Sequence, residues 1–115
     1  MRKKEILVEL KKRQLADDGL FAWGRVKDFN DLNGSVLGAN SGKYIITKSG
    51  EDLVFIPAGK ELHFKNLYVL AKSNVKSLSY NKLGTKLTLQ TESGGTKVYN
   101  ITRGKRNLKK ILMGF

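Results

Sequence analysis

"GKRNLKKILMGF", residues 104–115, is the stretch whose reading decides the fold. Leu108, Ile111, Leu112 and Phe115 fall at i, i+3, i+4 and i+7, which places them in one narrow stripe on a helix. Arg106, Lys109 and Lys110 lie beside or opposite that stripe, and Gly104 marks the switch out of the preceding element. A helix with one apolar stripe needs a surface to bury it against. Burying the four side chains contributes roughly 1.5–3 kcal/mol each before entropy, against a total of about 5–15 kcal/mol for a whole domain. The stripe is therefore read as core, with the basic side left outside and available to a partner.

The surface it needs lies upstream. Between Gly19 and Thr102, short runs rich in Val, Ile, Tyr, Phe and Thr alternate with Gly/Asn/Ser clusters, the pattern of an antiparallel all-β unit. The spacing predicts strands over Leu20–Asp28, Ser35–Ala39, Lys43–Lys48, Asp52–Pro57, Asn66–Lys72, Val75–Asn81, Thr85–Thr91 and Thr96–Thr102. "KSGED" at 48–52, "NKLGT" at 81–85 and "ESGG" at 92–95 offer glycine for tight turns. "NDLNG" at 30–34 and "GANSG" at 38–42 read as a longer crossing. "TKLTLQT" alternates most clearly, with Leu87 and Leu89 inward and Lys86, Thr88 and Gln90 outward. The single proline, Pro57, sits at a strand end, where a missing N–H does least harm. A strongly bent sheet of this kind leaves an apolar end open, and the closing helix suits it as a lid.

Residues 3–15, "KKEILVELKKRQL", are built from good helix formers without Gly or Pro. Ile6, Leu7, Leu10 and Leu15 share a broad apolar face, with Glu5, Glu9, Lys12 and Arg13 toward the other side. Lys4 and Lys11 project near the apolar arc, where their stems can lie on apolar surface while the ammonium groups reach water. "ADDG" at 16–19 ends the segment. The fold class expected is thus mainly β, α+β by content: a strongly bent antiparallel sheet of about seven strands, closed by a C-terminal amphipathic helix and preceded by an N-terminal helix. Residues 1–18 are taken as the basic N-terminal helix and 19–115 as the β unit with its closing helix.

The 115 residues carry 22 Lys+Arg against 10 Asp+Glu, a net charge of +12. The excess is concentrated at the ends. Residues 1–16 hold Arg2, Lys3, Lys4, Lys11, Lys12 and Arg13 against Glu5 and Glu9, and residues 97–115 hold Lys97, Arg103, Lys105, Arg106, Lys109 and Lys110 with no acid. Ten of the twelve excess charges therefore sit in those two segments. This asymmetry implies attraction to a polyanion such as a lipid surface, a nucleic acid or an acidic protein; solubility alone is the alternative use of such charge. The chain has no cysteine, which excludes disulfides and thiolate metal sites and fits a reducing compartment. No apolar run reaches the length of a signal peptide or a membrane span. The localisation expected is cytoplasmic, with peripheral attachment to the inner face of a membrane as the extension of the charge argument.

The chain offers little that reads as chemistry. His63 is the one histidine, and it has no Ser, Cys or acid pair near it in sequence. No His/Cys/Asp/Glu cluster has metal-ligand spacing, and Gly94-Gly95 precedes no phosphate-loop lysine. The expectation is no enzymatic activity, no cofactor and no metal. A small basic ribonuclease-type toxin, with His63, Tyr99 and Arg103 in the roles, is the weakest of the alternatives.

The order of elements resembles a pleckstrin-homology-like domain, in particular its small bacterial and GRAM-type branch, with an extra N-terminal helix. The resemblance rests on "SGKYIITKSGEDLVFIP" (41–57), which looks like the family's β-hairpin, and on "NVKSLSYNKLGTKLTLQTESGGTKVYNI" (74–101) followed by "NLKKIL" (107–112), which looks like its last three strands and closing helix. It covers about residues 19–115. The resemblance implies a β-barrel that acts as a binding or scaffolding module. In relatives that bind phosphoinositides the contacts come from the first two strands, which here implies Arg25, Lys27 and Lys43; Lys43 is followed by Tyr44 and Ile45 rather than by the K/R-x-R of those relatives. Trp23 beside them is read as core or as an interfacial anchor.

The leading expectation is a non-catalytic module docking on an anionic membrane surface or an acidic protein through Lys3, Lys4, Lys11, Lys12, Arg25, Lys27, Lys105, Arg106, Lys109 and Lys110. The alternatives are a nucleic-acid binder, with Tyr44, Phe64, Tyr68, Tyr80 and Tyr99 as stacking platforms if they face outward, and a homo-oligomer formed through Leu7, Leu10 and Leu15 of the N-terminal helix.

Overall fold

The computed structural model describes residues 3–16, 19–26, 43–58, 62–81, 86–92 and 95–113. Helix α1 spans Lys3–Lys12 and helix α2 spans Lys105–Leu112. Between them the described residues form seven strands: β1 (Phe21–Val26), β2 (Lys43–Ser49), β3 (Asp52–Pro57), β4 (Tyr68–Leu70), β5 (Val75–Tyr80), β6 (Lys86–Thr91) and β7 (Thr96–Arg103). They form a single sheet in the order β4-β3-β2-β1-β7-β6-β5, antiparallel throughout. The two hairpin runs are joined by the pairing of β1 with β7, the first strand with the last, and the sheet curls so that one face is concave.

Alternation along the strands sorts side chains onto the two faces. Ala22, Ile46, Leu53, Phe55, Leu70, Leu87, Leu89, Tyr99 and Ile101 point into the curl, where they are buried together with Leu108, Ile111 and Leu112 of α2. The stripe expected of the closing helix is thus core; its fourth member, Phe115, lies outside the described residues, as do Lys27 and the strand expected at 35–39.

The opposite face behaves differently in the two halves of the sheet. On β5 to β7 it is open to solvent: β6 alternates buried and exposed, and Ser77 donates to Gln90 Oε1 across β5 and β6 at 2.9 Å on that exposed side. On β2, β3 and the start of β1 it is covered by α1, while Arg25 further along β1 stays exposed. Ile6 and Leu10 are fully buried there with Ala16, Phe21, Ile45, Val54, Ile56 and Ala58, and Leu7 and Leu15 pack at the edge. This explains why "YIIT" and "LVFIP" read as unbroken apolar runs rather than alternating ones. Residues on both faces of β2 and β3 are buried, as strands covered on both sides require.

Polar contacts hold each helix in place. The chain leaves α1 through Gln14, whose φ is +57°, and Ser49 at the end of β2 donates to the Gln14 carbonyl at 3.0 Å. The Arg13 guanidinium lies 4.0 Å from the Phe64 ring centre and 3.7 Å from Glu9. At the other end, Gly104 turns the chain from β7 into α2 with φ +76°. A Cβ at Gly104 would lie 2.9 Å from the Phe21 carbonyl oxygen and 3.0 Å from Ala22 Cα, so backbone occupies that space. The same Phe21 carbonyl accepts a 3.2 Å hydrogen bond from Asn107 Nδ2. Tyr80 on β5 donates to the Lys105 carbonyl at 3.3 Å, which joins the far edge of the curl to the start of α2.

Strand β4 is shorter than the expected Asn66–Lys72. It is flanked by 3₁₀ turns at Phe64–Asn66 and Lys72–Asn74, closed by Asn66 N–H on the His63 carbonyl at 3.1 Å and Asn74 N–H on the Ala71 carbonyl at 2.9 Å. Asn and Ser favour local turns over a ladder, and "KSN" supplies both.

Two substitutions separate these roles. Gly104→Ala should lower stability by about 1–2 kcal/mol for the left-handed backbone alone, and by more once the contact with β1 backbone is included. Leu10→Ala should cost about 2–5 kcal/mol, as a core residue does, because α1 is a layer of the fold. Urea unfolding curves of the two variants check both.

Candidate functional site

The basic residues of the two chain ends meet on the outer side of β1. Trp23 stands opposite Arg103 in the β1–β7 pairing, where the register shifts by one residue, and Arg25 stands opposite Lys43 in the β1–β2 pairing. Trp23 and Arg25 are two residues apart and share the outer face. Trp23 is half-buried against the cluster under α1, while Arg25, Lys43 and Arg103 are exposed. The N-terminus of α1 then brings Lys3 to the same place. Lys3, Ile6, Phe21, Trp23, Arg103, Gly104 and Asn107 line one cleft of about 300 Å³. A shallower depression of about 370 Å³ adjoins it, lined by Thr102, Arg103, Gly104, Lys105, Arg106 and Asn107. Arg103, Gly104 and Asn107 border both.

Lys3, Arg103, Lys105 and Arg106 therefore form one basic surface, although Lys3 and Arg103 are a hundred residues apart in the chain. Among the described residues no acidic side chain lines either depression. The arrangement is an indole with its apolar body anchored in the fold, ringed by cations on long flexible stems. Chemically it can accept an anionic surface and insert an aromatic edge into it.

The other expected docking residues are distributed differently. Lys4 lies on another side of α1, in a depression shared with Glu5, Val8 and Glu9, so acids neutralise its surroundings. The Lys11 stem runs past Gly19, where a Cβ would lie 3.4 Å from Lys11 Cε; Lys12 is exposed. Lys109 and Lys110 are exposed on α2 and line neither depression. Arg103 counts in the sequence as part of the basic end without being singled out for docking, and Asn107 is not marked at all. The run Arg103-Gly104-Lys105-Arg106 at a strand–helix junction is the signal that points to them.

The aromatic residues weighed as stacking platforms do not form an outward row. The Tyr99 ring is inside the curl, and the residue is only 2% exposed. It stacks on Phe55 (centroids 5.1 Å apart, 16° between planes) and meets Tyr44 edge-on at 5.9 Å, while Phe55 touches Tyr68 at 6.0 Å. This cluster fills the end of the curl opposite α2. Lys97, two residues before Tyr99 on the same face of β7, reaches across the concavity and places Nζ 4.4 Å from the Tyr68 ring centre. Phe64 lies under Arg13, and Tyr80 points toward α2. His63, Tyr99 and Arg103 are not brought together: His63 follows β3 with its N–H on the Pro57 carbonyl, Tyr99 is internal, and Arg103 ends β7 beside α2. Among the described residues no group of three His, Cys, Asp or Glu side chains is placed to hold a metal ion.

Burial shifts two groups of the inner cluster in ways that matter for pH. It pushes the Tyr99 phenol well above the usual tyrosine range, with the neighbouring Tyr44 and Tyr68 phenols adding to the effect. It pulls the Lys97 ammonium down.

Comparison with protein-family models, curated proteins and solved structures finds no match to this chain.

The two shifts act on stability with opposite signs. For Lys97 the folded state binds the proton less readily than the unfolded chain, so its unfavourable contribution is relieved as pH rises toward about 10.5. For Tyr99 the folded state holds the proton more tightly, so stability is lost as pH climbs above about 10. Urea midpoints measured against pH should rise less between neutral pH and about 10 in Lys97→Met than in the parent. They should fall less steeply above that range in Tyr99→Phe.

Proposed function

We propose that the protein is a non-catalytic docking module of pleckstrin-homology-like construction, which attaches to an anionic membrane surface through the outer basic face of β1. The observation that carries this reading is the shared cleft of Lys3, Trp23, Arg103 and Asn107, which unites the two charged ends of the chain around its only tryptophan. Each Lys or Arg close to an anionic bilayer contributes about 1 kcal/mol, and Lys3, Arg25, Lys43, Arg103, Lys105 and Arg106 supply several such contacts. Trp23 adds an amphipathic ring of the kind that settles at the headgroup level. No described helix is long and apolar enough to cross a membrane, so the attachment argued for is a surface one. The chain order of a β1–β4 run, a β5–β7 run and a closing helix supports the pleckstrin-homology-like description. An acidic protein would use the same cations but has less need of the indole.

Sedimentation with vesicles tests this directly. Vesicles of phosphatidylserine and phosphatidylcholine should carry the protein down at low salt and shift Trp23 emission to shorter wavelength; phosphatidylcholine alone should do neither. The double variant Lys3→Gln, Arg103→Gln should bind roughly tenfold or more weakly. Equal recovery in the supernatant with both vesicle types overturns the reading. A gel shift of a labelled oligonucleotide without vesicle binding replaces it with nucleic-acid docking.

A further inference from the structure

The cleft where the two chain ends meet has room for a chemical group, which a flat basic patch does not. Lys3 enters it from α1, Arg103 from the end of β7 and Asn107 from α2, around the half-buried Trp23. Among the described residues neither Lys3 nor Arg103 is paired with a carboxylate; the ion pair found there joins Arg13 to Glu9. Asn107 is fixed by one N–H of its amide to the Phe21 carbonyl and has a second N–H to offer. The cleft is therefore rich in donors and positive charge. The elements that carry these groups are held by core packing, α1 through Ile6 and Leu10, and β7 and α2 through Ile101 and Leu108.

Those groups suit a terminal phosphate better than a phosphate in the middle of a chain. A phosphomonoester exposes three acceptor oxygens and carries close to two negative charges at neutral pH. The planar fork of the Arg103 guanidinium can take two of those oxygens, while the Lys3 ammonium acts on the third as a point charge. A phosphodiester has a single charge, and its second substituent occupies space that one of the cations needs for its approach. Size narrows the class further. The cleft volume of about 300 Å³ is at the small end of ligand sites, which run from roughly 300 to 1,000 Å³. A phosphate with the glycerol that carries it suits that space better than a phosphate with a sugar or a base attached. Trp23 supplies an apolar wall beside the glycerol, at the level where indoles settle in a bilayer.

We propose that the cleft of Lys3, Trp23, Arg103 and Asn107 recognises the phosphomonoester headgroup of a phosphatidate-type lipid, so that docking selects a terminal phosphate over other anionic headgroups. The proposal rests on the docking reading, because its ligand is part of a bilayer, and it adds a preference that surface charge alone does not give.

Two vesicle preparations test it: phosphatidylcholine with phosphatidate, and phosphatidylcholine with phosphatidylmethanol, in which one methyl group caps the phosphate. Both are adjusted to equal electrophoretic mobility. The full chain should bind the phosphatidate vesicles about fivefold or more tightly, the equivalent of one further charged contact. Lys3→Gln and Arg103→Gln, each at an exposed position, should abolish that preference. Lys109→Gln combined with Lys110→Gln removes two exposed charges that line neither depression; it should weaken binding to both vesicles and leave their ratio unchanged. Equal binding of the full chain to the two vesicles, or a preference that survives in Lys3→Gln and Arg103→Gln, overturns the proposal and leaves charge-driven docking standing. Absence of binding to either vesicle removes the docking reading and the proposal together. An NMR titration with glycerol 3-phosphate distinguishes the source of the phosphate. Saturable shifts at Lys3, Trp23 and Arg103 without vesicle binding overturn the lipid in favour of a free phosphomonoester.

Discussion

The structure depends on how α2 closes the concave face of the sheet. Leu108, Ile111 and Leu112 fill the curl beside Ala22, and the chain turns into the helix at Gly104, where the Phe21 carbonyl and Ala22 lie too close to leave room for a side chain. A side chain there would collide with the Phe21 carbonyl, which Asn107 also holds. One joint therefore sets the depth of the lid and the place where α2 begins. Arg103 and Arg106 surround that joint, so their positions follow from the closure of the core.

The two halves of the sheet meet different demands. β5 to β7 bury one face, and their sequences alternate accordingly; β2 and β3 bury both, and α1 is the layer that covers their outer side and the start of β1. Covering that face with a basic helix has a consequence for the surface. The N-terminus of α1 ends beside Trp23, and Lys3 joins the cations contributed by β7 and α2. The cleft thus arises where three separately required elements abut. The inner end of the curl, by contrast, is filled by aromatic rings and by Lys97, a residue the core does not need for packing.

The legible parts of the sequence were those in which local pattern and burial agree. The stripe of α2, the bounds of β3 and the alternation of β6 were all readable, because a single face of each element is decisive or turn residues mark its ends. The role of α1 was less so. Its apolar face could be seen, but only the unbroken runs in β2 and β3 say that a second layer is needed, and such runs also suit a strand buried for other reasons. Lys97 reads as one more charge of a basic C-terminal segment. Its inward direction follows from sharing a face with Tyr99 and Ile101, which becomes evident once the register with β6 is known. The meeting of Lys3 with Arg103 is set by the β1–β7 pairing and the packing of α1, and no local pattern encodes a contact across a hundred residues.

The most direct test of the closure is a chain that stops at Gly104, compared with the full chain by thermal unfolding and near-ultraviolet circular dichroism. Loss of a cooperative transition and of the tyrosine signal from the inner cluster is the predicted result, since the concave face then has no lid. A shortened chain that melts cooperatively at an undiminished midpoint would contradict the account.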